Sequence, residues 1–282
     1  MSKKHFSTVL LLAACIFLPQ CTRNPIADNK IQPKNLTVTG SVHLSDATLP
    51  AGVFVWLEGF KLSTMTDSAG QFRLQLPPPQ TQPGGGLSGM FKIYYYVANY
   101  KFAVSTLAVV DGSFVYGERA IDKNGRIGRI TLQKLMDIES VVSPAIFPRD
   151  SLGYLDISVA FRNPIEPIDV TAFQLRSSGQ LAGVIFKRSG APDEEAELVL
   201  TSIWPATETI AQDTDWIMHL FSRDAPLAAG TFEILPYIFI EQKDLPVELL
   251  QSIGAGYDKW HWHPDYLKIP IKQKTAALVV TD

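Results

Sequence analysis

Cysteine is almost missing from this chain. Of 282 residues only Cys15 and Cys21 are cysteines, so beyond Cys21 there is no disulfide framework, no thiolate metal site and no cysteine nucleophile. Charge is sparse and balanced: 25 Lys and Arg face 28 Asp and Glu, for a formal charge of −3 and no long basic run. That argues against nucleic acid as a partner, which needs a concentrated basic face. The chain also lacks H-E-x-x-H, G-x-S-x-G, S-x-x-K and a glycine-rich phosphate loop ending in Lys, the patterns that announce zinc hydrolysis, serine acyl transfer or nucleotide binding. A hydrolase built on two carboxylates stays open, because such acids have no fixed spacing in sequence. Nothing asks for a cofactor. What is present is core material: 46% hydrophobic and 10% aromatic residues, punctuated by 19 prolines and 19 glycines. The length suits one large or two medium domains at about 100–200 residues each.

Lys3, Lys4 and His5 precede an uncharged, mostly apolar stretch from Phe6 to Pro19, the pattern of an export signal. It falls short of the roughly 20 apolar residues that span a bilayer. A cysteine closing such a segment resembles the lipobox of bacterial lipoproteins. Leu12-Ala13-Ala14-Cys15 fits that pattern, but Ile16, Phe17 and Leu18 would then remain as an apolar stub. Leu18-Pro19-Gln20-Cys21 departs from it at Gln20, yet is followed by a polar tether through Lys30. Cys21 is favoured as the lipidated residue, with Cys15 the alternative; an ordinary secreted protein is the other reading. The segments are then a signal peptide over 1–20 and a tether over 21–34. Cleavage before Cys21 removes Lys3 and Lys4 and no acid, taking the charge from −3 to −5. Thr22 rather than Asp after Cys21 implies, by the resemblance, an outer-membrane lipoprotein facing the periplasm.

From 35 to 139 the sequence alternates with period two, the signature of half-buried strands. Leu36, Val38, Val42 and Leu44 alternate with Thr37, Thr39, Ser41 and His43; Phe72, Leu74 and Leu76 alternate with Gln71, Arg73 and Gln75. Val53 to Leu57, Phe91 to Ala98 and Phe102 to Val110 read as further strands. Tyr94 and Tyr96 share a strand face and read either as a platform for a sugar or peptide or as sheet packing. Asp67-Ser68-Ala69-Gly70 is a turn, as is Asp122-Lys123-Asn124-Gly125, which lacks the closing Glu of a calcium loop. Residues 77–89, rich in Pro and Gly, read as a long surface loop. Gly40 to Val42, Ala51 to Leu57 and then Ser63 to Leu74, with Thr66-Asp67-Ser68-Ala69-Gly70-Gln71-Phe72 at their centre, resemble the carboxypeptidase regulatory-like domain. That resemblance implies a transthyretin-like β-sandwich without catalytic residues, an accessory module for folding support, adhesion or docking. The zinc catalytic domain of those enzymes has no room here.

From 140 to 282 some seven short strands are expected, including Leu155–Phe161, Gly183–Lys187, Leu198–Trp204, Trp216–Phe221 and Phe232–Ile240. They suggest a second, immunoglobulin-like β-sandwich. One helix is expected over Leu245–Ile253, capped by Asp244 and ended by Gly254. The acidic run Asp193 to Glu197 reads as a solvated hairpin tip. The densest candidate site is Tyr257-Asp258-Lys259-Trp260-His261-Trp262-His263-Pro264-Asp265-Tyr266. On a strand, His261 and His263 would share one face and the two tryptophans the other. Tyr257, Trp260, Trp262 and Tyr266 are therefore candidate ligand-binding residues for a glycan. His261 and His263 are metal candidates, needing Asp258 or Asp265 and a further ligand such as His219. The alternative is packing by the tryptophans with exposed histidines.

These readings converge on an all-β, lipid-anchored, non-catalytic cell-envelope protein that docks another envelope protein through strand edges or loops. The rivals are a glycan- or solute-binding lipoprotein and a metal-dependent hydrolase.

Overall fold

Alternation becomes sheet wherever one face can be covered. A computed structural model describes residues 35–175, 179–225, 228–254 and 258–282; Cys15, Cys21, the tether and Tyr257 lie outside the described residues. The first half holds β1 (Thr37–Leu44), β2 (Phe54–Leu57), β3 (Leu62–Met65), β4 (Gln71–Gln75), β5 (Gly89–Val97), β6 (Tyr100–Val110), β7 (Ser113–Phe114) and β8 (Arg126–Leu132). They form a three-stranded sheet, β4-β1-β8, and a five-stranded sheet, β3-β2-β5-β6-β7. Between them lies a core of Val38, Val42, Phe72, Leu74, Val55, Tyr95, Tyr100, Leu107 and Leu132.

The Thr66-to-Phe72 motif is structural throughout. Thr66 Oγ1 donates to Pro50 O and accepts from Val53 N at 2.8 Å. Asp67 Oδ1 accepts from Ala69 N (2.9 Å) and Gln71 N (2.8 Å), closing the turn. Gly70 sits at φ +74°, where a Cβ would lie 2.2 Å from Val42 O. The loop at 77–89 contains short 3₁₀ turns at Pro79–Thr81 and Pro83–Gly85. Buried Gln82 pins them, donating to Pro77 O (2.8 Å) and Gly112 O (2.9 Å) and accepting from Leu87 N (3.2 Å).

The second half holds β9 (Asp137–Ser143), β10 (Ile146–Pro148), β11 (Tyr154–Arg162), β12 (Ile168–Phe173), β13 (Gly183–Arg188), β14 (Glu197–Leu200), β15 (Pro205–Ile210), β16 (Thr214–Phe221), β17 (Gly230–Pro236), β18 (Ile238–Ile240) and β19 (Ala276–Thr281). Their sheets are β16-β11-β9, β15-β12-β18 and β10-β19-β17-β13-β14. The fold is all-β, with more strands than the seven or so expected: β10 and β18 are only three residues long, too short to show a period. β9 pairs with β11 along its whole length, from Asp137 to Ser143, so the expected division at 139/140 falls inside a strand. Helix α1 spans Val247–Ile253 rather than Leu245–Ile253, and its N-cap is Pro246, with no side-chain cap. Asp244 sits at φ +64°, where it turns the chain instead of capping it. The acidic run at 193–197 is the expected hairpin tip, its Asp193 paired with Lys187 at 2.5 Å.

The seam between the halves is a core, not a linker. Phe54, Trp56, Tyr94 and Tyr96, on the outward face of β2 and β5, join one apolar cluster with Met136, Ile138, Val159, Phe161 and Trp216. Tyr94 and Tyr96 are buried there, so they are packing residues and offer no platform to a ligand. Polar cross-stitching fixes the geometry. Asn99, 0% exposed, donates from Nδ2 to Met136 O (3.1 Å) and Lys272 O (2.8 Å) and accepts from Lys272 N (3.0 Å). Gln242 donates to Ala98 O (3.0 Å) and Tyr100 O (2.9 Å) and accepts from Phe102 N (3.0 Å). Lys134 grips Asp46 of the first half and Asp137 of the second. Residues 35–282 form one compact unit around these three apolar cores, and this unit is the span suited to stand as a fragment.

Candidate functional site

The aromatic and histidine cluster is not a strand. Among its described residues, 258–263 form an irregular segment leading into a 3₁₀ helix, Pro264–Lys268. His261 and His263 therefore do not share a strand face. Each is held by a different aspartate: His261 Nδ1 lies 2.7 Å from Asp258 Oδ2, and His263 Nδ1 lies 3.1 Å from Asp265 Oδ2. The hydrogen bond from His261 beside it holds the Asp258 carboxyl below the usual carboxylate range, helped by the Trp260 backbone N–H. His219 is on β16, bonded to Asp156 across the β11 pairing at 2.6 Å, and does not complete a site with them. Among the described residues no three His, Cys, Asp or Glu side chains are placed to hold a metal.

The four aromatic candidates part company. Tyr266 is buried, and its hydroxyl is held by the backbone: it accepts from Ile238 N (3.0 Å) and lies 3.0 Å from Pro236 O and 2.9 Å from Ile238 O. Burial pushes that hydroxyl far above the usual tyrosine range. Its place on an exposed binding platform is thus corrected to one in a small core with Phe173, Ile185, Tyr237 and Phe239. Trp262 is half-buried and edge-on to Tyr237 at 5.7 Å. Trp260 alone of the described aromatics in this segment is open, 64% exposed. Gly254 ends α1 in extended backbone, and a Cβ there would lie 2.4 Å from Asp265 Cβ. That close approach seats the 3₁₀ turn against the helix. The cleft between them, lined by Leu250, Ile253, His261, His263 and Ile269, has a free volume of about 20 Å³. That is room for a water or two, against some hundreds of Å³ for a typical ligand pocket.

A larger concavity lies on the seam, unnoticed in the sequence. Its volume is about 910 Å³. Phe102, Leu135 and Ile168 give it an apolar floor, and Glu166, Asp169, Glu241 and Asp244 outnumber Lys101 and Lys243 around it. Lys101 pairs with Glu166 at 3.3 Å. Glu241 accepts from Thr171 Oγ1 (2.8 Å) and from Lys259. Asp169 accepts from Thr209. The groove is shaped by strand and seam residues and is acidic. Its residues come from stretches more than a hundred positions apart, so no local pattern could have revealed it.

No family model matches the chain, and no curated protein does. The carboxypeptidase regulatory-like resemblance has no family model behind it. A solved structure, the Bacillus anthracis TIE protein, aligns over 74% of this chain at 5% identity with a TM-score of 0.23. The chain spans about half the length of that structure, 48%. A likeness of this degree carries no argument about fold or function.

Proposed function

We propose that this chain is a lipid-anchored, non-catalytic protein of the bacterial cell envelope, anchored through Cys21 and docking a partner protein in the acidic seam groove. The seam groove carries this reading: an apolar floor with an acidic rim suits a protruding basic segment of a protein. The likeness of the Thr66–Phe72 turn to carboxypeptidase regulatory-like modules, which are accessory parts, supports it. So does Gln242, which lines the groove and ties the second half to Ala98, Tyr100 and Phe102 of the first.

The test joins two readouts. Mass spectrometry of the protein extracted from membranes reads the acyl group on Cys21, which Cys21→Ser removes. Glu166→Lys with Asp244→Lys reverses the rim charge without touching the apolar floor, and is expected to abolish copurification of the partner. An acylated protein whose complex survives that reversal sinks the groove as the docking site. A second reading, glycan binding, is favoured by the open indole of Trp260 alone.

A further inference from the structure

We propose that the outer face of the β4-β1-β8 sheet seats the protein on anionic phospholipid headgroups, an inference that rests on the lipid-anchor reading in needing a membrane within reach of β1. The chain's near-neutral total hides a strong division. Residues 35–135 carry nine Lys and Arg against six Asp and Glu, a formal +3, whereas residues 136–282 carry eleven against 21, a formal −10. Within the first half the positive charge is gathered on one face. β1, β4 and β8 contain three arginines, one histidine and no Asp or Glu.

Register puts the arginines together. Thr39 of β1 pairs with Arg73 on one side and Arg126 on the other, and Ser41 pairs with Gln71 and Arg129. Two strand spacings separate Arg73 from Arg126, about 10 Å. Arg126 and Arg129, three apart, would face opposite ways on a regular strand. The register slips by one residue between them, and this bulge turns both outward; both are exposed. Thr37, Thr39 and Ser41 fill the middle of the face with hydroxyls. Beside Arg126, a hollow of about 640 Å³ is bordered by Arg119, Asp122 and Lys123. Asp122 Oδ1 accepts from Asn124 N and Arg126 N at 2.8 Å each in the hairpin turn, so three cations, Arg119, Lys123 and Arg126, stand against one carboxylate around the hollow.

These cations are also free. Among the described residues Arg73, Arg119, Lys123, Arg126 and Arg129 have no carboxylate partner; of the other cations, Lys101, Lys134, Arg149, Arg162, Lys187, Lys259, Lys268 and Lys274 each have one, while Lys61, Lys92, Arg188, Arg223, Lys243 and Lys272 lack one but are not gathered on a single sheet face. Arg129 lies 3.0 Å from His43 Nδ1 and Arg73 donates to Thr37 Oγ1 (3.4 Å); neither partner is an acid, so each guanidinium is oriented with its charge uncompensated. A molecule positive at one end and strongly negative at the other orients in the field of a negative surface, basic end inward. In sequence, β1 begins at Thr37, soon after Cys21, so an anchor there would keep this half within reach of the headgroups. The acidic half and its groove would then point away from the bilayer.

The test uses the 35–282 fragment, without any acyl chain, in flotation with vesicles. It is expected to float with phosphatidylglycerol-containing vesicles, to stay behind with pure phosphatidylcholine, and to dissociate as salt is raised. Arg73→Gln, Arg126→Gln and Arg129→Gln together should weaken partitioning about a hundredfold, at roughly fivefold per basic residue near an anionic surface. Arg149→Gln, Arg223→Gln and Lys274→Gln together should leave it unchanged. Thr39→Glu, a single change at the centre of the face, provides an independent loss. All variants lie on the surface, and an unchanged thermal midpoint certifies their folding. No flotation with anionic vesicles, equal flotation of the triple arginine variant, or binding only to a soluble anionic polysaccharide would overturn the inference. An acylated full chain whose fragment ignores vesicles defeats the docking face alone, while a fragment that floats although Cys21 is unmodified defeats the anchor alone.

Discussion

Asn99→Ala probes the seam most sharply. The side chain is completely buried and makes three hydrogen bonds, all to backbone of the second half: to Met136 O, to Lys272 O and from Lys272 N. Truncation keeps the fold of β5 and β6 but leaves two carbonyls and one N–H without a partner in a space that only a water could enter. Each such group costs about 1–3 kcal/mol when fully buried. Two of the three bonds are only part-buried, so the sum is set at about 3–4 kcal/mol. Against a total stability of roughly 5–15 kcal/mol that is a large fraction, and at about 2–4 °C per kcal/mol for a unit of this size the midpoint should fall by roughly 10 °C. Asn99→Asp should do no better, because a carboxylate would face the Met136 and Lys272 carbonyls. Urea unfolding of the 35–282 fragment, followed by tryptophan fluorescence, measures the change. Trp56 sits in the seam and Trp216 in the second half, so one transition should report both. A loss below about 1 kcal/mol, or two separate transitions in the wild type, would refute the fused-core description.

Three other outcomes follow from the same contacts. Hydrogen bonds from Lys134, Thr48 and Tyr100 outweigh partial burial and hold the Asp46 carboxyl well below its ordinary range, and the hydrogen bond from Lys134 lowers Asp137 as well. Depressed carboxyls stabilise above their unfolded values, near pH 4, and that stability is lost as pH falls through the folded ones; the urea midpoint should therefore drop more steeply below pH 4 in the wild type than in Lys134→Met. Gly70→Ala should cost at least about 2 kcal/mol, since positive φ and contact with Val42 O act together. Gly52→Ala, at φ +72° in open space, should cost only about 1 kcal/mol, and equal losses by calorimetry would remove the contact from the explanation. Trp260→Ala should change stability by less than about 0.5 kcal/mol, and a loss of cell-wall retention in that variant would promote glycan binding over protein docking.

What could be read from the chain was whatever a period of two encodes. Thr37 to Leu44 and Gln71 to Gln75 show their buried and exposed faces residue by residue, and the Asp67–Gly70 turn announces itself by composition. What could not be read depends on distant partners. Trp56, Tyr94 and Tyr96 alternate like any half-exposed strand, and only the second half covers their outer face. Asp244 looks like a helix cap but turns the chain toward the groove, and Tyr266 looks like part of a surface aromatic cluster although its hydroxyl closes the backbone at 236–238. The arginine face was hidden because its members lie on three strands and one was re-aimed by a bulge, so that no window of sequence shows a basic run.

The central proposal, a docking module with its partner in the seam groove, is tested most directly by photo-crosslinking in intact cells. A photoreactive residue at Lys101 or Lys243, on the groove rim, is compared with one at Ile203, exposed and not among the groove-lining residues. Docking in the groove predicts one discrete protein adduct from both rim positions, absent from position 203 and lost when Glu166→Lys and Asp244→Lys are combined with the probe. Adducts that are the same at all three positions, or none from the rim while the acylated protein is present in the membrane, would contradict it.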